Sequence, residues 1–189
     1  MSLDIIFLDI DGVLLPFGEK NCNNEEKDDN DDKLLFPKST MTALDFILKK
    51  HPTVQIVLSS TWRCQPQWVA DIEDCILRFQ RKTRKNELKT AKNTRENEEG
   101  KSIVFDVTNL NNHTERQWEI QEWLEIRSHS HEAQVRSWVA LDDEELLEGS
   151  KNETYRSQFI DHVVKTQSNI GLTMNDAKKV VNLIGKQVN

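Results

Sequence analysis

The stretch Ile5-Ile6-Phe7-Leu8-Asp9-Ile10-Asp11-Gly12-Val13-Leu14 decides the fold: four apolar residues deliver two carboxylates, one residue apart, onto a turn at Gly12. A run this apolar suits a central strand of a parallel sheet covered on both faces, and ligands of open α/β sheets bind at the carboxyl ends of such strands. Alternation along an extended chain points Asp9 and Asp11 the same way, so two like charges converge and need a cation or a shared proton to coexist. A divalent metal is the simplest answer. The rival reading is an Asp-Gly hairpin turn; it loses because the following Val13-Leu14-Leu15-Pro16 does not read as a partner strand.

Working outward, the chain has 189 residues, room for one domain (1–189) with a substantial core. Lys and Arg number 25 against 32 Asp and Glu, a net charge of −7, which disfavours nonspecific nucleic-acid binding by the whole surface but leaves local basic patches open. Cys22, Cys64 and Cys75 form no metal-spaced pair, and the first strand follows the N-terminus directly, with no signal-peptide pattern. That usage points to the cytoplasm or another reducing intracellular compartment. No apolar run approaches a membrane span, so no membrane partner is expected, and the sequons at Asn112 and Asn152 are discounted. A monomer is expected.

After the acidic tip, residues 19–33 are dense in Asn, Asp and Glu with nothing to bury, and read as a solvated loop, an insert near 18–35. Pro37, Ser39 and Thr40 open a helix with Leu44, Ile47 and Leu48 on one face, ending at His51-Pro52. Val54 to Leu58 is a second strand, ending in Ser59-Ser60-Thr61, hydroxyls where the first strand ends in carboxylates. Pro66 starts another helix whose Trp68, Val69, Ile72, Cys75, Ile76 and Phe79 recur at helical spacing, so Trp68 and Cys75 are expected in the core. From 78 to 95, Arg78, Arg81, Lys82, Arg84, Lys85, Lys89, Lys92 and Arg95 stand against the single acid Glu87, a basic insert near 78–100. Such runs are usually solvated faces, but one beside a catalytic edge could guide an anionic substrate.

Ile103 to Val107 reads as a third strand. Thr114 to Gln117 has capping-box spacing ahead of Ile120, Trp123 and Leu124, which places Arg116 in a first helical turn. Ser128-His129-Ser130-His131 lacks further ligands and reads as a polar loop. Trp138-Val139-Ala140-Leu141 then runs into Asp142-Asp143, repeating the arrangement of the opening stretch. Val163-Val164 forms a last short strand, and Thr173 to Asp176 caps a closing helix with Val180, Val181 and Ile184.

Asp9 with Asp11, Ser59, Arg116, and Asp142 with Asp143 thus fall at strand ends or a helix start, in an order and spacing that resembles the haloacid dehalogenase (HAD) superfamily of phosphohydrolases. Its first motif is met by Asp9-Ile10-Asp11-Gly12, its second by Ser59, its basic third by Arg116 and its fourth by Asp142-Asp143. The chain is especially similar to the HAD domain of Swiss-army-knife RNA-repair proteins through residues 57–63, Arg116 with Glu119-Ile120 and Trp123-Leu124, residues 138–143, and Gly171-Leu172-Thr173. The resemblance implies a Rossmann-like α/β fold, with a mainly parallel central sheet flanked by helices and no large cap domain.

It also implies a Mg²⁺-dependent phosphomonoester hydrolase working through an aspartyl-phosphate. Asp9 is the nucleophile and Asp11 the general acid and base. Ser59 and Arg116 bind the phosphoryl oxygens, and Asp9, the backbone carbonyl of Asp11, Asp142 and Asp143 hold the metal. Arg136 rivals Arg116 for the basic role, and Arg63 reads equally as a substrate contact or as packing beside Trp62. The leading substrate is a phosphorylated nucleic-acid end. The alternatives are a phosphoprotein or small metabolite phosphate, and a non-catalytic metal-binding scaffold. A response-regulator receiver would carry its acceptor Asp on a middle strand, where this chain has serines.

Overall fold

The computed structural model describes residues 2–18, 35–90, 102–109, 115–129, 134–148 and 153–188. Outside them lie the acidic loop with Cys22, the end of the basic stretch, Thr114 of the expected capping box, Ser130 with His131, and both sequon asparagines.

The opening stretch forms β1 (Ser2–Leu8), where Ile5, Ile6, Phe7 and Leu8 are fully buried. β1 is followed by α1 (Lys38–Lys50), β2 (Val54–Leu58), a short 3-10 turn (Thr61–Cys64), α2 (Pro66–Thr90) and β3 (Val104–Val107). Then come α3 (Arg116–Ser128), β4 (Gln134–Asp142), α4 (Glu153–Phe159), β5 (Val163–Lys165) and α5 (Met174–Val188). The five strands lie in the order β3-β2-β1-β4-β5, every pair parallel. The expected fold class is what forms: an α/β, Rossmann-like sheet. β1 is central because it is apolar on both faces. Ile6 and Leu8 join the core with α1, α2 and α5, while Ile5 and Phe7 pack with Ile120 and Trp123 of α3 and Phe159 of α4. Each such side chain contributes about 1.5–3 kcal/mol by burial.

Local signals hold at several ends. Pro37 stands at the N-cap of α1, and His51 closes it by donating its backbone N–H to Ile47 O. Thr173 and Asp176 bond reciprocally at the start of α5. Among the described residues no helix is long and apolar enough to cross a membrane.

One expectation changes. Trp68 is not core: it sits in the first turn of α2 and is 48% exposed, while Ile72, Cys75, Ile76 and Phe79 are buried. The apolar seam is continuous in sequence, but its first residue lies before the helix reaches the sheet. The described part of the basic stretch runs away from the sheet's carboxyl edge. α2 continues unbroken through it to Thr90, and Glu73 already accepts hydrogen bonds from the backbone of Ile103 and Val104 where β3 begins. Exposed Lys82, Arg84 and Lys85 lie roughly 25 Å along the helix axis from Pro66.

Far from the strand tips, buried Asp4 of β1 accepts hydrogen bonds from Thr53 at 3.1 Å, Ser137 at 2.7 Å and Arg136 Nε at 2.9 Å. Burial pulls its carboxyl upward, but bonds from Arg136, Ser137 and Thr53 outweigh that and hold it below the ordinary aspartate value. Replacing Asp4 with Ala strands these donors, and the expected cost is about 2–4 kcal/mol in denaturant melts. Divalent-ion binding at the strand tips should be unchanged in the same variant. A loss of that binding in the folded variant would show that this end of β1 and β4 also sets the tips.

Candidate active site

Hydrogen bonding in the parallel ladder continues one residue past the strand ends, and this sets the site. The Ser59 N–H donates to Leu8 O at 3.0 Å, the Asp9 N–H to Leu141 O at 3.0 Å, and the Thr166 N–H to Asp142 O at 2.9 Å. Because Leu8 pairs with Leu58 on one side and Leu141 on the other, Ser59, Asp9 and Asp142 stand abreast on three adjacent strands, all buried. Asp143 follows on the loop. Carboxylate oxygens of Asp9, Asp142 and Asp143 lie within 4.8 Å of one another.

Gly12 makes that approach feasible. Its φ of +69° is the left-handed region that favours glycine, and a Cβ built there would stand 2.2 Å from Asp143 Oδ2. The loop it starts is pinned by the Thr166 hydroxyl donating to Gly12 O at 2.9 Å and the Leu172 N–H donating to Val13 O at 2.8 Å.

Arg116 opens α3 and reaches into the acids. Its Nε donates to Asp142 Oδ2 at 2.9 Å, and its Nη2 lies 3.5 Å from Asp9 Oδ1. Burial works against the guanidinium's charge, but Asp142, Asp9 and Glu119 outweigh it and push its pKa up. Desolvation raises Asp9 above the ordinary aspartate value, with Arg116 and the Ser60 hydroxyl pulling back. Asp142 goes further, to about 7: desolvation leads, Arg116 opposes it, and the neighbouring Asp9 charge adds to it. Burial of the charged form, reinforced by Asp9, outweighs the pull of Arg116, so protonation of Asp142 is favoured toward neutrality.

Arg136 is removed from this constellation. It ion-pairs with Asp4, roughly 16 Å down β1 from Asp9. Arg63 is a framework residue: buried, it donates to Ser59 O and to Glu119 Oε1, the latter at 2.7 Å. Glu119 holds Arg116 Nη1 with its other oxygen at 3.4 Å. The relay Ser59 to Arg63 to Glu119 to Arg116 therefore ties the β2 tip to the base of α3. Asp11 is half-buried one turn beyond Asp9, where Trp62 Nε1 donates to its Oδ2 at 3.0 Å.

Sequence reasoning left Ser60, Trp62 and Glu119 without roles. Glu119 three residues after Arg116 is a helical pairing signal, but its bond to Arg63, 56 positions away, has no local signature. Ser60 beside Ser59 was visible only as a second hydroxyl.

The donor set fits a divalent cation. It consists of oxygens alone, on residues whose mutual repulsion a cation relieves, with Gly12 leaving space for Asp143. Asp9, Asp142 and Asp143 would supply carboxylates. Asp11 would supply its backbone carbonyl, since its carboxyl is turned to Trp62.

An all-parallel α/β sheet with paired acids at the tips of its adjacent β1 and β4 defines a domain of the haloacid dehalogenase class. More narrowly, the model of the HAD domain in Swiss Army Knife RNA repair proteins matches residues 5–177, and the chain belongs to that family. No curated protein and no solved structure matches it.

Two outcomes follow from the crowded acids. A carboxyl raised from 3.8 to about 7 by folding contributes stability that is complete below pH 3.8 and lost as pH rises through 7, at most roughly 4 kcal/mol. Thermal melts in chelator should therefore fall between pH 5 and pH 8, and Asp142→Asn should flatten that decline; an equal decline in the variant would place the raised group elsewhere. Gly12→Ala should forfeit most of the Mg²⁺-induced rise in melting temperature, because its Cβ displaces Asp143. An undiminished rise would remove Asp143 from the cation site.

Proposed function

We propose that this chain is a phosphomonoester hydrolase working through an aspartyl-phosphate on Asp9. What carries the reading is the convergence of Asp9, Asp142, Asp143 and Arg116 at the tips of adjacent parallel strands, with a second carboxylate, Asp11, tethered beside them. A carboxylate cannot approach a phosphate dianion without positive charge between them. Mg²⁺ held by Asp9, Asp142, Asp143 and the Asp11 carbonyl supplies that neutralisation when bound.

Asp9 attacks phosphorus in line with the ester bond, forming an O–P bond as the bond to the leaving oxygen breaks. Asp11 gives its proton to that oxygen, so the alcohol departs neutral. Asp11, now a carboxylate, takes a proton from water as the water oxygen attacks the phosphorus of phospho-Asp9. Inorganic phosphate leaves and both aspartates return to their starting forms. Ser59 and Arg116 bind the non-bridging oxygens, where charge accumulates in the transition state; the planar guanidinium donates to two of them at once. The relay through Glu119 and Arg63 holds Arg116 and the Ser59 backbone in register for this task.

The proposed substrate is a phosphorylated nucleic-acid end, supported by membership of a domain family from RNA-repair proteins. The position of the basic residues along α2 limits how they take part. Lys82, Arg84 and Lys85 can reach only a strand extending several nucleotides from the site, and the same displacement favours a small phosphate ester as the second reading.

Phosphate release from glycerol phosphate and from end-phosphorylated RNA, each with Mg²⁺ and with chelator, tests both readings. Metal-dependent release should fall to background in Asp9→Asn. Neutralising Lys82, Arg84 and Lys85 together should weaken turnover of a long RNA several-fold and leave glycerol phosphate and a dinucleotide unchanged. Release that persists in Asp9→Asn would refute the covalent mechanism, and equal effects on all substrates would remove α2 from recognition.

A further inference from the structure

The acid assigned to the leaving oxygen has an unexpected neighbour. Trp62 spends its single N–H on Asp11 Oδ2 at 3.0 Å, so the indole lies on the leaving-group side of the phosphoryl site. It is held in place by Phe36, with ring centroids 6.2 Å apart and 52° between planes, and by Trp68, at 5.7 Å and 54°. Trp68 is one ring further out. Its backbone is fixed in the first turn of α2, the Trp68 N–H donating to Gln65 O at 3.0 Å, yet the residue is 48% exposed. A large aromatic left half in water, backed by the half-buried Trp62 ring and continuous with the acid of a candidate active site, contributes little to the core and presents a ready face to a planar ligand.

We infer that Trp68, backed by Trp62, is the stacking platform for the nucleobase of the terminal nucleotide whose phosphate is removed. The inference rests on the phosphohydrolase reading above and specifies its leaving group. Asp11 protonates the ester oxygen, so whatever is bonded to that oxygen must extend past Asp11 toward Trp62. In a phosphorylated nucleic-acid end the group so bonded is a ribose, which sets the base one sugar away from the phosphate. That is the remove at which Trp68 stands, one ring beyond Trp62. A phosphotyrosine ring is bonded directly to the ester oxygen and would lie against Asp11 and Trp62, short of Trp68. Base-on-indole stacking needs no particular hydrogen-bond pattern, so the platform accepts any base, as an enzyme acting on broken ends requires.

The test compares short end-phosphorylated RNAs that differ only at the phosphorylated residue, base-bearing or abasic, together with glycerol phosphate and a phosphotyrosyl peptide. For Trp68→Ala, kcat/KM on the base-bearing end should fall about ten- to a hundredfold, the size of one lost stacking contact. The abasic end and glycerol phosphate should stay within about twofold, and Trp68→Phe should recover most of the loss. Equal losses on base-bearing and abasic ends, or no loss on either, overturn the platform while leaving the hydrolase reading intact. So does a Trp68-dependent preference for the phosphotyrosyl peptide. Because turnover of glycerol phosphate reports the hydrolase reading by itself, failure of that reading is seen separately. In that event tryptophan quenching of Asp9→Asn by the same RNA pair carries the contrast: tighter binding of the base-bearing end that is lost in Trp68→Ala supports the platform, and equal binding rejects it.

Discussion

Three carboxylates forced into one small space are the constraint on which the rest of the structure depends. Asp9 and Asp142 have no freedom to separate, because the parallel ladder between β1 and β4 continues through them, and Gly12 lets Asp143 close on the same point. Among the described residues, Arg116 offsets their charge directly. A protein selected for stability alone would place an apolar residue at Asp142, which has almost no exposed surface. Retaining an acid there makes sense where a cation and a phosphate together complete the charge balance, and the stability given up for crowded acids is the usual trade of a preorganised site.

From that cluster the framework spreads through groups that do no chemistry. Glu119 bridges two arginines, one holding the acids and the other the backbone of Ser59, so α3, β1, β2 and β4 meet in one buried polar network. Such a network rigidifies only when its members are satisfied together. On the opposite flank Trp62 orients Asp11 by a single hydrogen bond while packing between Phe36 and Trp68. In the proposed mechanism the two flanks divide the labour: the α3 side meets the phosphate charge, and the 3-10 turn after β2 meets the leaving group.

The frame was legible because it is written in short-range pattern. An apolar run on both faces of the chain ending in Asp, met first at Asp9 and again at Asp142, predicts central strands with acids at their tips, and the helices between strands imply parallel pairing. Partners set by three-dimensional register were not legible. Arg116 and Arg136 are equivalent as isolated arginines; they separate only because Asp4 pairs with Ser137 along the sheet and thereby captures Arg136. Arg63 stayed undecided between substrate contact and packing because Glu119 is distant in sequence. Trp68 fits the apolar period of α2 and is exposed because helical period says which face a residue is on, and nothing about whether the sheet extends beneath it. Composition marked the basic stretch without saying where it lies; the helix through Thr90 carries Lys82, Arg84 and Lys85 away from the strand tips.

Direct detection of the phosphorylated protein goes to the centre of the matter. Asp11→Asn lacks the proposed base for water activation, and p-nitrophenol leaves without help from an acid, so this variant given p-nitrophenyl phosphate and Mg²⁺ should accumulate the intermediate. Acid-quenched mass spectrometry should find one phosphoryl group on the peptide carrying Asp9, absent when Asp9→Asn is added. Turnover with no phosphorylated species, or with phosphate on any other residue, would contradict nucleophilic catalysis by Asp9.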